Sequence, residues 1–287
     1  MINGRMIGFA VLPAVAAGIS LSAMALLLIM IIIFSVPSFL RGGTENVFSW
    51  IWRPYNGEFG ILPMVVGSAM LSFSTLLLAW PLAILFCCPL LASPSITIRR
   101  FLKMIASLMT AVPTVVYGFA AVFLITPLVR ESLGGSGFCW LSACLVMTLL
   151  VLPTMILILE SGLAPRLEEL CPGGLALGLN KLDLLWFFVF PKAGKLFLAS
   201  ALLGFGRAMG DTLLPLMLAG NAPQSPAALT SGLRTLTAHM ALVTANDVGG
   251  AAYDSLFATG ALLLMINAAT SLALRRLRGT LSTRSVI

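Results

Sequence analysis

Residues 61–92 read ILPMVVGSAMLSFSTLLLAWPLAILFCCPLLA, a continuous apolar run without a single charged side chain. A helix needs about 20 such residues to cross a hydrocarbon core that is roughly 30 Å thick, and this run is long enough. A membrane-spanning strand would instead be short and would alternate apolar with polar residues. Because backbone polar groups in lipid must find partners within their own segment, the run predicts a transmembrane α-helix.

Five further apolar runs of similar length occur along the chain, at approximately 8–34, 104–129, 138–160, 196–220 and 255–274. The first of them is longer than a signal-peptide core of about 7–15 residues, so we expect it to be retained as a helix. Hydrophobic residues make up 59% of the chain and charged residues 9%, whereas a soluble domain carries about 25% charged residues. The sequence therefore predicts an all-α integral membrane protein with six transmembrane helices.

The basic residues are unevenly divided between the two sides that these helices define. If the N-terminus is cytoplasmic, twelve of the 17 Lys and Arg residues lie inside, four lie outside, and Arg207 lies within a helix. This bias follows the positive-inside rule and predicts a multi-pass protein of the inner (plasma) membrane with both termini in the cytoplasm. The net charge of +7 then reflects topology and contact with anionic membrane lipid, and we expect no nucleic-acid partner.

The chain is expected to have three parts. They are an N-terminal transmembrane helix with its outer loop (1–60), one membrane domain (61–275) and a basic cytoplasmic tail (276–287). Within the membrane domain, the long cytoplasmic segment 161–195 alternates charged with apolar residues at near-helical spacing. The Gly-Leu-Asn stretch at 178–180 interrupts this spacing and predicts two short helices joined by a glycine turn. Four leucines would then be exposed: Leu175, Leu177, Leu182 and Leu185.

Motifs for enzymatic chemistry are not found in the sequence. There is no Gly-x-x-x-x-Gly-Lys-Ser/Thr phosphate loop, since the nearest lookalike, Gly194-Lys195, is followed by Leu196. The five cysteines lack the spacing of a metal site. The single histidine, His239, is expected in a loop, solvated or locally hydrogen-bonded. We therefore predict no catalytic residue, no metal site and no cofactor.

The cytoplasmic segment 161–195 resembles the coupling loop of ABC-importer permeases, which reads Glu-Ala-Ala-x-x-x-Gly, nine residues, then Ile-x-Leu-Pro. With Gly178 as the glycine, Phe188, Val189 and Phe190 take the Ile-x-Leu positions, and Pro191 takes that of the proline. The resemblance implies a loop that inserts into a groove on a partner ATPase and transmits its closure to the membrane helices.

The Glu-Ala-Ala positions of that loop fall on Pro-Gly-Gly at 172–174 in this chain, which departs from the family pattern. Two interpretations stay open. Either Glu168 and Glu169, just upstream, substitute for the missing glutamate, or the first coupling helix is shortened and has Pro172 in its first turn. The residues expected to carry coupling are Glu168, Glu169, Gly178, Asp183 and Pro191.

Further stretches are similar to the phosphate-uptake permeases, and more closely to the C-type of their two subunits. The resemblance implies an ABC-importer permease core in 61–275, forming half of a phosphate pathway. The other half would come from a related A-type permease. A cytoplasmic ATPase dimer and a periplasmic or extracellular phosphate-binding protein complete the importer, with ATP hydrolysis in the separate ATPase. The stretches are AVPTVVYGF (111–119), GRAMGDT (206–212), GNAP (220–223), RTLTA (234–238) and LFATG (256–260), with Asn267.

Two charged residues stand inside the fifth apolar run. Arg207 lies twelve residues beyond Lys195, which is about 18 Å along a helix, and Asp211 follows at i+4 on the same face. A charge at the bilayer centre costs at least ~2.5–3.5 kcal/mol, so both side chains are expected to face protein or water. The guanidinium of arginine matches phosphate oxygens. Our hypothesis is that Arg207 attracts phosphate, Asp211 holds the guanidinium and keeps binding weak, and Thr212 adds a hydroxyl donor.

Other interpretations remain open at this stage. Arg207 and Asp211 could form a structural ion pair that joins two helices, and Asp211 stands where the family usually has the longer glutamate. The cargo could be another oxyanion, such as sulfate, molybdate or tungstate. The chain could also be an ion-coupled secondary transporter, although it has a coupling-like loop and no inverted repeat. A membrane-bound assembly protein would leave the two charges unexplained.

Overall fold

A computed structural model describes the backbone of residues 3–41, 47–246 and 252–282, and the side chains of 13–36, 47–246, 252–253 and 255–276. These residues form ten helices and one short antiparallel hairpin, in which Trp52–Arg53 (β1) pairs with Glu58–Phe59 (β2) around a 3₁₀ turn at Pro54–Asn56. The helices are α1 Asn3–Arg41, α2 Leu62–Ala92, α3 Ile96–Ala111, α4 Thr114–Leu133, α5 Trp140–Ala176, α6 Lys181–Lys192, α7 Gly194–Gly210, α8 Leu213–Leu218, α9 Leu236–Asn246 and α10 Tyr253–Ser282.

Five helical stretches in the described chain are long and apolar enough to cross a membrane: Pro13–Val36, Leu62–Ala92, Thr114–Leu133, Trp140–Ala176 and Ser255–Arg276. A sixth crossing is reached when α6 and α7, which meet at an angle of 78°, are counted as one bent span. The prediction of an all-α integral membrane protein is therefore confirmed.

The prediction of one helix over 104–129 is wrong, because two helices meet there. Helix α3 ends at Ala111, and Val112 and Pro113 have extended backbones before α4 begins at Thr114. A proline disfavours the helical conformation at the residue before it, which explains the break. Helix α3 carries several basic side chains, and Lys103 forms an ion pair of 2.7 Å with Glu160 of α5.

The prediction of one helix over 196–220 is also wrong. Helix α7 ends at Gly210, and α8 begins at Leu213. Pro215 has no N–H to donate to the carbonyl of residue 211, and its ring would clash with that carbonyl in a continuous helix. The Asp211 carboxylate instead accepts a hydrogen bond of 3.0 Å from the Leu214 N–H and caps the start of α8. Asp211 therefore lies beyond α7, and not at i+4 on the helix of Arg207.

The segment 161–195 contains one short helix rather than two. Residues 161–176 continue α5 without a break, so Pro172 lies near the end of a long helix and not in the first turn of a short one. Leucine, alanine and glutamate, which favour helix, dominate this stretch. Leu175, Leu177 and Leu182 are exposed as predicted, whereas Leu185 is fully buried.

The core of the bundle is built around α5. Helix α5 packs along α2, and α7 packs against both of them. Met147, Met155 and Leu159 of α5 are fully buried, as are Ala79 and Ala83 of α2. Helix α1 packs on α10 at the side of the bundle, where its apolar side chains are almost all exposed. Such exposure suits a helix whose solvent is lipid.

The hairpin lies at the end of the bundle where α2, α5 and α10 begin, which we call the hairpin end; the opposite end, with the turn at Gly178, is the Gly178 end. The loop 219–235 folds over the start of α5, because Ser231 and Leu229 accept hydrogen bonds from the N–H groups of Trp140 and Leu141 at 3.0 and 2.9 Å. The loop leads directly into α9.

His239 lies in α9 and is fully buried, so the prediction of a loop histidine is wrong. Helix α9 forms because its first N–H groups find partners. The Leu236 N–H donates to the Ser68 hydroxyl at 2.8 Å, and the Ala238 N–H donates to the Thr235 hydroxyl at 3.2 Å. Trp52 packs perpendicular to the imidazole, with ring centroids 4.3 Å apart.

Candidate functional site

A cavity of about 530 Å³ opens between α5, α7 and α10, next to the start of α4. Polar side chains from all four helices line it, together with two glycines and three leucines. The lining residues are Thr114, Thr154, Leu202, Leu203, Gly206, Arg207, Gly210, Asp211, Asn267, Thr270, Ser271 and Leu274. Helices α7 and α10 approach each other at Gly206, where an added Cβ would make an ordinary contact of 3.9 Å with the Thr270 hydroxyl.

Arg207 and Asp211 both line this cavity but do not form a salt bridge. The ion pair found among the described residues is that of Lys103 with Glu160. Asp211 uses one carboxylate oxygen to cap α8, and its backbone carbonyl accepts a hydrogen bond of 2.8 Å from the Thr237 hydroxyl. The hypothesis that Asp211 holds the guanidinium by direct contact is therefore not met in this conformation. Both charges face the same cavity instead.

Thr212 does not line the cavity, unlike its two neighbours in the predicted set. It follows the helix break, and its carbonyl accepts a hydrogen bond of 3.1 Å from the Leu216 N–H in the first turn of α8. Of the three predicted site residues, Arg207 and Asp211 therefore line the cavity, and Thr212 lies next to it.

Hydroxyl groups on α4, α5 and α10 complete the cavity lining and were not predicted as site residues. Thr154 comes from α5, and Thr270 and Ser271 come from α10 beside Asn267. The α10 residues repeat at positions 267, 270, 271 and 274, which is the spacing of one helix face. That spacing is a signal in the sequence, but it does not reveal which neighbour the face meets.

The cavity is open on one side. The Arg207 side chain is exposed in the isolated chain, although most other residues of its helix, α7, are apolar. It is the one cationic side chain among the described residues of the lining. Several neutral donors and acceptors surround it, with one carboxylate nearby. Such a site can attract an anion by charge and share hydrogen bonds with it, while Asp211 opposes tight binding.

At the Gly178 end, the turn between α5 and α6 has well-defined local geometry. Gly178 has a φ of +80°, and the N–H groups of Gly178 and Leu179 donate to the carbonyls of Leu175 and Gly174 at 3.1 and 3.0 Å. These two bonds satisfy the last carbonyls of α5 in a Schellman arrangement. Gly174 is required because an added Cβ would collide with the Leu184 side chain.

The residues expected to carry coupling lie around this turn. Asp183 and Asn180 form a reciprocal capping box at the start of α6, with hydrogen bonds of 2.9 and 3.1 Å. Glu168 and Glu169 are exposed on the last turns of α5, and Pro191 is exposed in the last turn of α6. The middle of α6, Leu184–Val189, is π-helical.

Comparison with known proteins gives consistent results. Residues 79–279 match the family described as the binding-protein-dependent transport system inner membrane component. The probable ABC transporter permease protein YqgH of Bacillus subtilis is 27% identical over 276 residues, which cover 93% of this chain and 87% of that protein. The phosphate transport system permease protein PstC of Xylella fastidiosa is 26% identical over 230 residues, covering 73% and 69%.

A relative with another subunit name also matches. The probable phosphate transport system permease protein PstA of Methanocaldococcus jannaschii is 29% identical over 164 residues, covering 57% of this chain and 56% of that protein. The family match spans well over half of the chain and includes α5, α7 and α10, which form the cavity. The chain therefore belongs to the family of binding-protein-dependent transport system inner membrane components.

Proposed function

We propose that this chain is the transmembrane permease subunit of an ATP-driven importer for inorganic phosphate and forms half of the translocation pathway. The observation that carries the proposal is the position of Arg207, a single cation in a hydroxyl-lined cavity between spanning helices. The relatives named as phosphate permeases, PstC and PstA, support the choice of cargo.

In this proposal, Arg207 and Asp211 have opposite roles. The Arg207 guanidinium keeps its charge at any physiological pH and presents planar donors to a tetrahedral anion. The Asp211 carboxylate lies in the same cavity and repels that anion, so phosphate binds weakly enough to leave. Hydroxyl groups of Thr154, Thr270 and Ser271 replace part of the hydration shell of the anion during passage.

The chain itself is proposed to be non-catalytic, with ATP hydrolysis in a cytoplasmic ATPase dimer. The exposed leucines of the Gly178 turn, Leu175, Leu177 and Leu182, form an apolar surface that suits insertion into a groove of that partner. We place Glu168, Glu169, Gly178, Asp183 and Pro191 at this contact. The Gly178 end then faces the cytoplasm together with both termini, and the hairpin end faces outward.

Two further partners follow from the same proposal. The open side of the Arg207 cavity is closed by a second permease subunit, related to the A-type chain. A phosphate-binding protein delivers the anion to the hairpin end. Because that protein selects the cargo, a transporter for sulfate, molybdate or tungstate would use the same architecture, and this is the second candidate function.

Uptake of labelled phosphate by cells that express this chain with its neighbouring transporter genes tests the proposal. We expect uptake that is lost when this chain is deleted and that an excess of sulfate, molybdate or tungstate does not reduce. Absence of phosphate uptake, together with uptake of labelled sulfate, molybdate or tungstate, would assign the transporter to that anion instead.

A further inference from the structure

A second cavity, of about 490 Å³, lies at the hairpin end and is separate from the cavity of Arg207. The hairpin residues Trp52, Tyr55 and Phe59 form one wall, and Leu242 and Asn246 of α9 form the opposite wall. Arg234, two residues before the start of α9, contributes the cationic group. Arg207, Asp211 and Thr212, the residues that the sequence indicates for the substrate pathway, do not line this cavity.

Arg234 is held in place by its backbone and by one of its five N–H donors. The backbone carbonyl of Arg234 packs directly against Gly67 in the second turn of α2. A Cβ added at Gly67 would collide with this carbonyl. The Arg234 Nε–H donates to the Asn221 carbonyl at 2.9 Å. The arginine is therefore anchored about one helical turn below the hairpin end, with its guanidinium at the cavity.

No carboxylate in the described part of the chain forms a salt bridge with Arg234. Burial lowers the pKa of the Arg234 guanidinium from its ordinary value, although an arginine stays charged in proteins. The neighbouring His239 adds no second positive charge. Its own pKa is lowered to about 3 by burial and by Arg234, so the imidazole is neutral. A half-buried cation beside an aromatic wall attracts anions more strongly than a solvated one.

The segments that carry the two arginines meet at one short contact. The Thr237 hydroxyl, three residues after Arg234, donates to the backbone carbonyl of Asp211 at 2.8 Å. Arg234 lies on the hairpin side of this contact, and Arg207 lies one helical turn before Asp211 on the other side. Arg234 therefore lies nearer to the hairpin end than Arg207 does.

We propose that Arg234 is a second oxyanion contact of this permease, which receives phosphate at the hairpin end before Arg207 does. The inference rests on the proposed function, because it takes the direction of transport and the cargo from it. The competing explanation is that Arg234 only stabilises the loop 219–235 through its hydrogen bond to the Asn221 carbonyl. The guanidinium in that case has no role in transport.

Two substitutions of Arg234 separate these explanations. In Arg234→Gln, the side-chain amide nitrogen occupies the position of Nε, so the bond to Asn221 is retained and the charge is lost. In Arg234→Lys, the charge is retained and the bond is lost, because a methylene replaces Nε. Uptake of labelled phosphate is measured for both variants in cells that contain the whole importer, at matched amounts of chain in the membrane. Arg130→Gln, an exposed arginine outside both cavities, is the matched control.

We expect Arg234→Gln to lower the uptake rate at least about tenfold, which corresponds to roughly 1.4 kcal/mol, and Arg234→Lys to stay within about threefold of wild type. The reverse order, or normal uptake by both variants, would overturn the proposal. Phosphate uptake by wild type is measured in the same experiment. If wild type takes up no phosphate, the proposed function itself is contradicted. If wild type and Arg234→Gln both take up phosphate normally, only the second contact is contradicted.

If both Arg234 variants are inactive, Asn246→Asp decides the question with Arg234 left in place. Asn246 is exposed at the lip of the cavity, and its amide N–H donates to the Leu242 carbonyl of its own helix. The isosteric carboxylate adds a negative charge to the path of the anion. We expect uptake to fall several-fold at low ionic strength and to recover partly with added salt. Unchanged uptake at low ionic strength would overturn the proposal.

Discussion

Pro215 decides the geometry of the charged site, although it is uncharged and does not line the cavity. Without an N–H, it cannot bond the Asp211 carbonyl four residues earlier, and the Thr237 hydroxyl takes that carbonyl instead. Helix α7 therefore ends before Asp211, and the carboxylate turns to cap α8. The result is that two opposite charges four residues apart share a cavity without neutralising each other.

The capping role of Asp211 can be separated from its charge. Asp211→Ala removes the acceptor for the Leu214 N–H, and we expect it to lower the free energy of unfolding by about 1 kcal/mol. Asp211→Asn retains an acceptor oxygen and is expected to unfold at a temperature close to that of wild type. Thermal unfolding of the purified variants measures both effects. Equal loss of stability in the two variants would show that the charge, and not the cap, stabilises this break.

At the residue scale, the sequence predicts the charged members of the site but not its neutral ones. Arg207 and Asp211 are conspicuous because charges are costly inside an apolar run. Thr154 and Thr270 look like ordinary polar residues of a membrane helix, and only the packing of α5 and α10 beside α7 makes them neighbours. Thr212 is predicted in the site as a hydroxyl donor, and the helix break places it outside the lining.

At the scale of the element, the unit formed by α5, the Gly178 turn and α6 follows local rules. The Schellman bonds at the end of α5 and the capping box of Asn180 and Asp183 need no tertiary contact. The Arg166 side chain adds a long hydrogen bond of 3.4 Å to the Lys192 carbonyl at the end of α6. The two helices are thus joined as one piece at the Gly178 end, which suits a segment that transmits movement from a partner.

Gly178 and Gly173 form a matched pair for testing this turn. We expect Gly178→Ala to destabilise the protein by about 1 kcal/mol or more, because a side chain is disfavoured at its φ of +80°. Gly173 lies in the last turns of α5, and no atom is near a Cβ added there. Gly173→Ala should therefore leave stability unchanged or raise it slightly. The unfolding temperatures of the two variants give the comparison. A Gly178→Ala variant as stable as Gly173→Ala would contradict the assigned turn.

The sequence predicts that the helices exist, but it misplaces their breaks. Runs 104–129 and 196–220 are predominantly apolar, yet each is broken next to a proline, at 113 and 215 respectively. The effect of a proline on a helix depends on whether other groups satisfy the freed carbonyl. In α5, Pro153, Pro165 and Pro172 lie within one helix, so a proline alone does not indicate a break. The partner for the freed Asp211 carbonyl comes from α9, which hydropathy does not predict.

At the scale of the whole molecule, the surface of the chain suits a subunit of a larger assembly. The resemblance to ABC-importer permeases drawn from the motifs is confirmed by the family match over residues 79–279. The Arg207 cavity is open on one side, and the exposed turn at the Gly178 end has an apolar surface, so both features fit a subunit with neighbours. Which neighbours these are is part of the proposed function.

The energy source distinguishes an importer of this family from an ion-coupled secondary transporter. In proteoliposomes that contain the complete assembly, we expect phosphate uptake to require ATP on the ATPase side and to persist when a protonophore collapses the proton gradient. Omission of ATP is the matched control. Uptake that continues without ATP and stops with the protonophore would exclude the ATP-driven account.

The role of Arg207 is the central claim, and the uptake of labelled phosphate by Arg207→Gln in the same proteoliposomes tests it most directly. Arg130→Gln, with its exposed side chain outside the cavity, serves as the control. We predict that Arg207→Gln assembles normally and loses at least about tenfold in uptake rate, since a charged partner of the anion is worth roughly 1.5–3 kcal/mol, while Arg130→Gln transports like wild type. Normal uptake by a fully assembled Arg207→Gln variant would contradict the account.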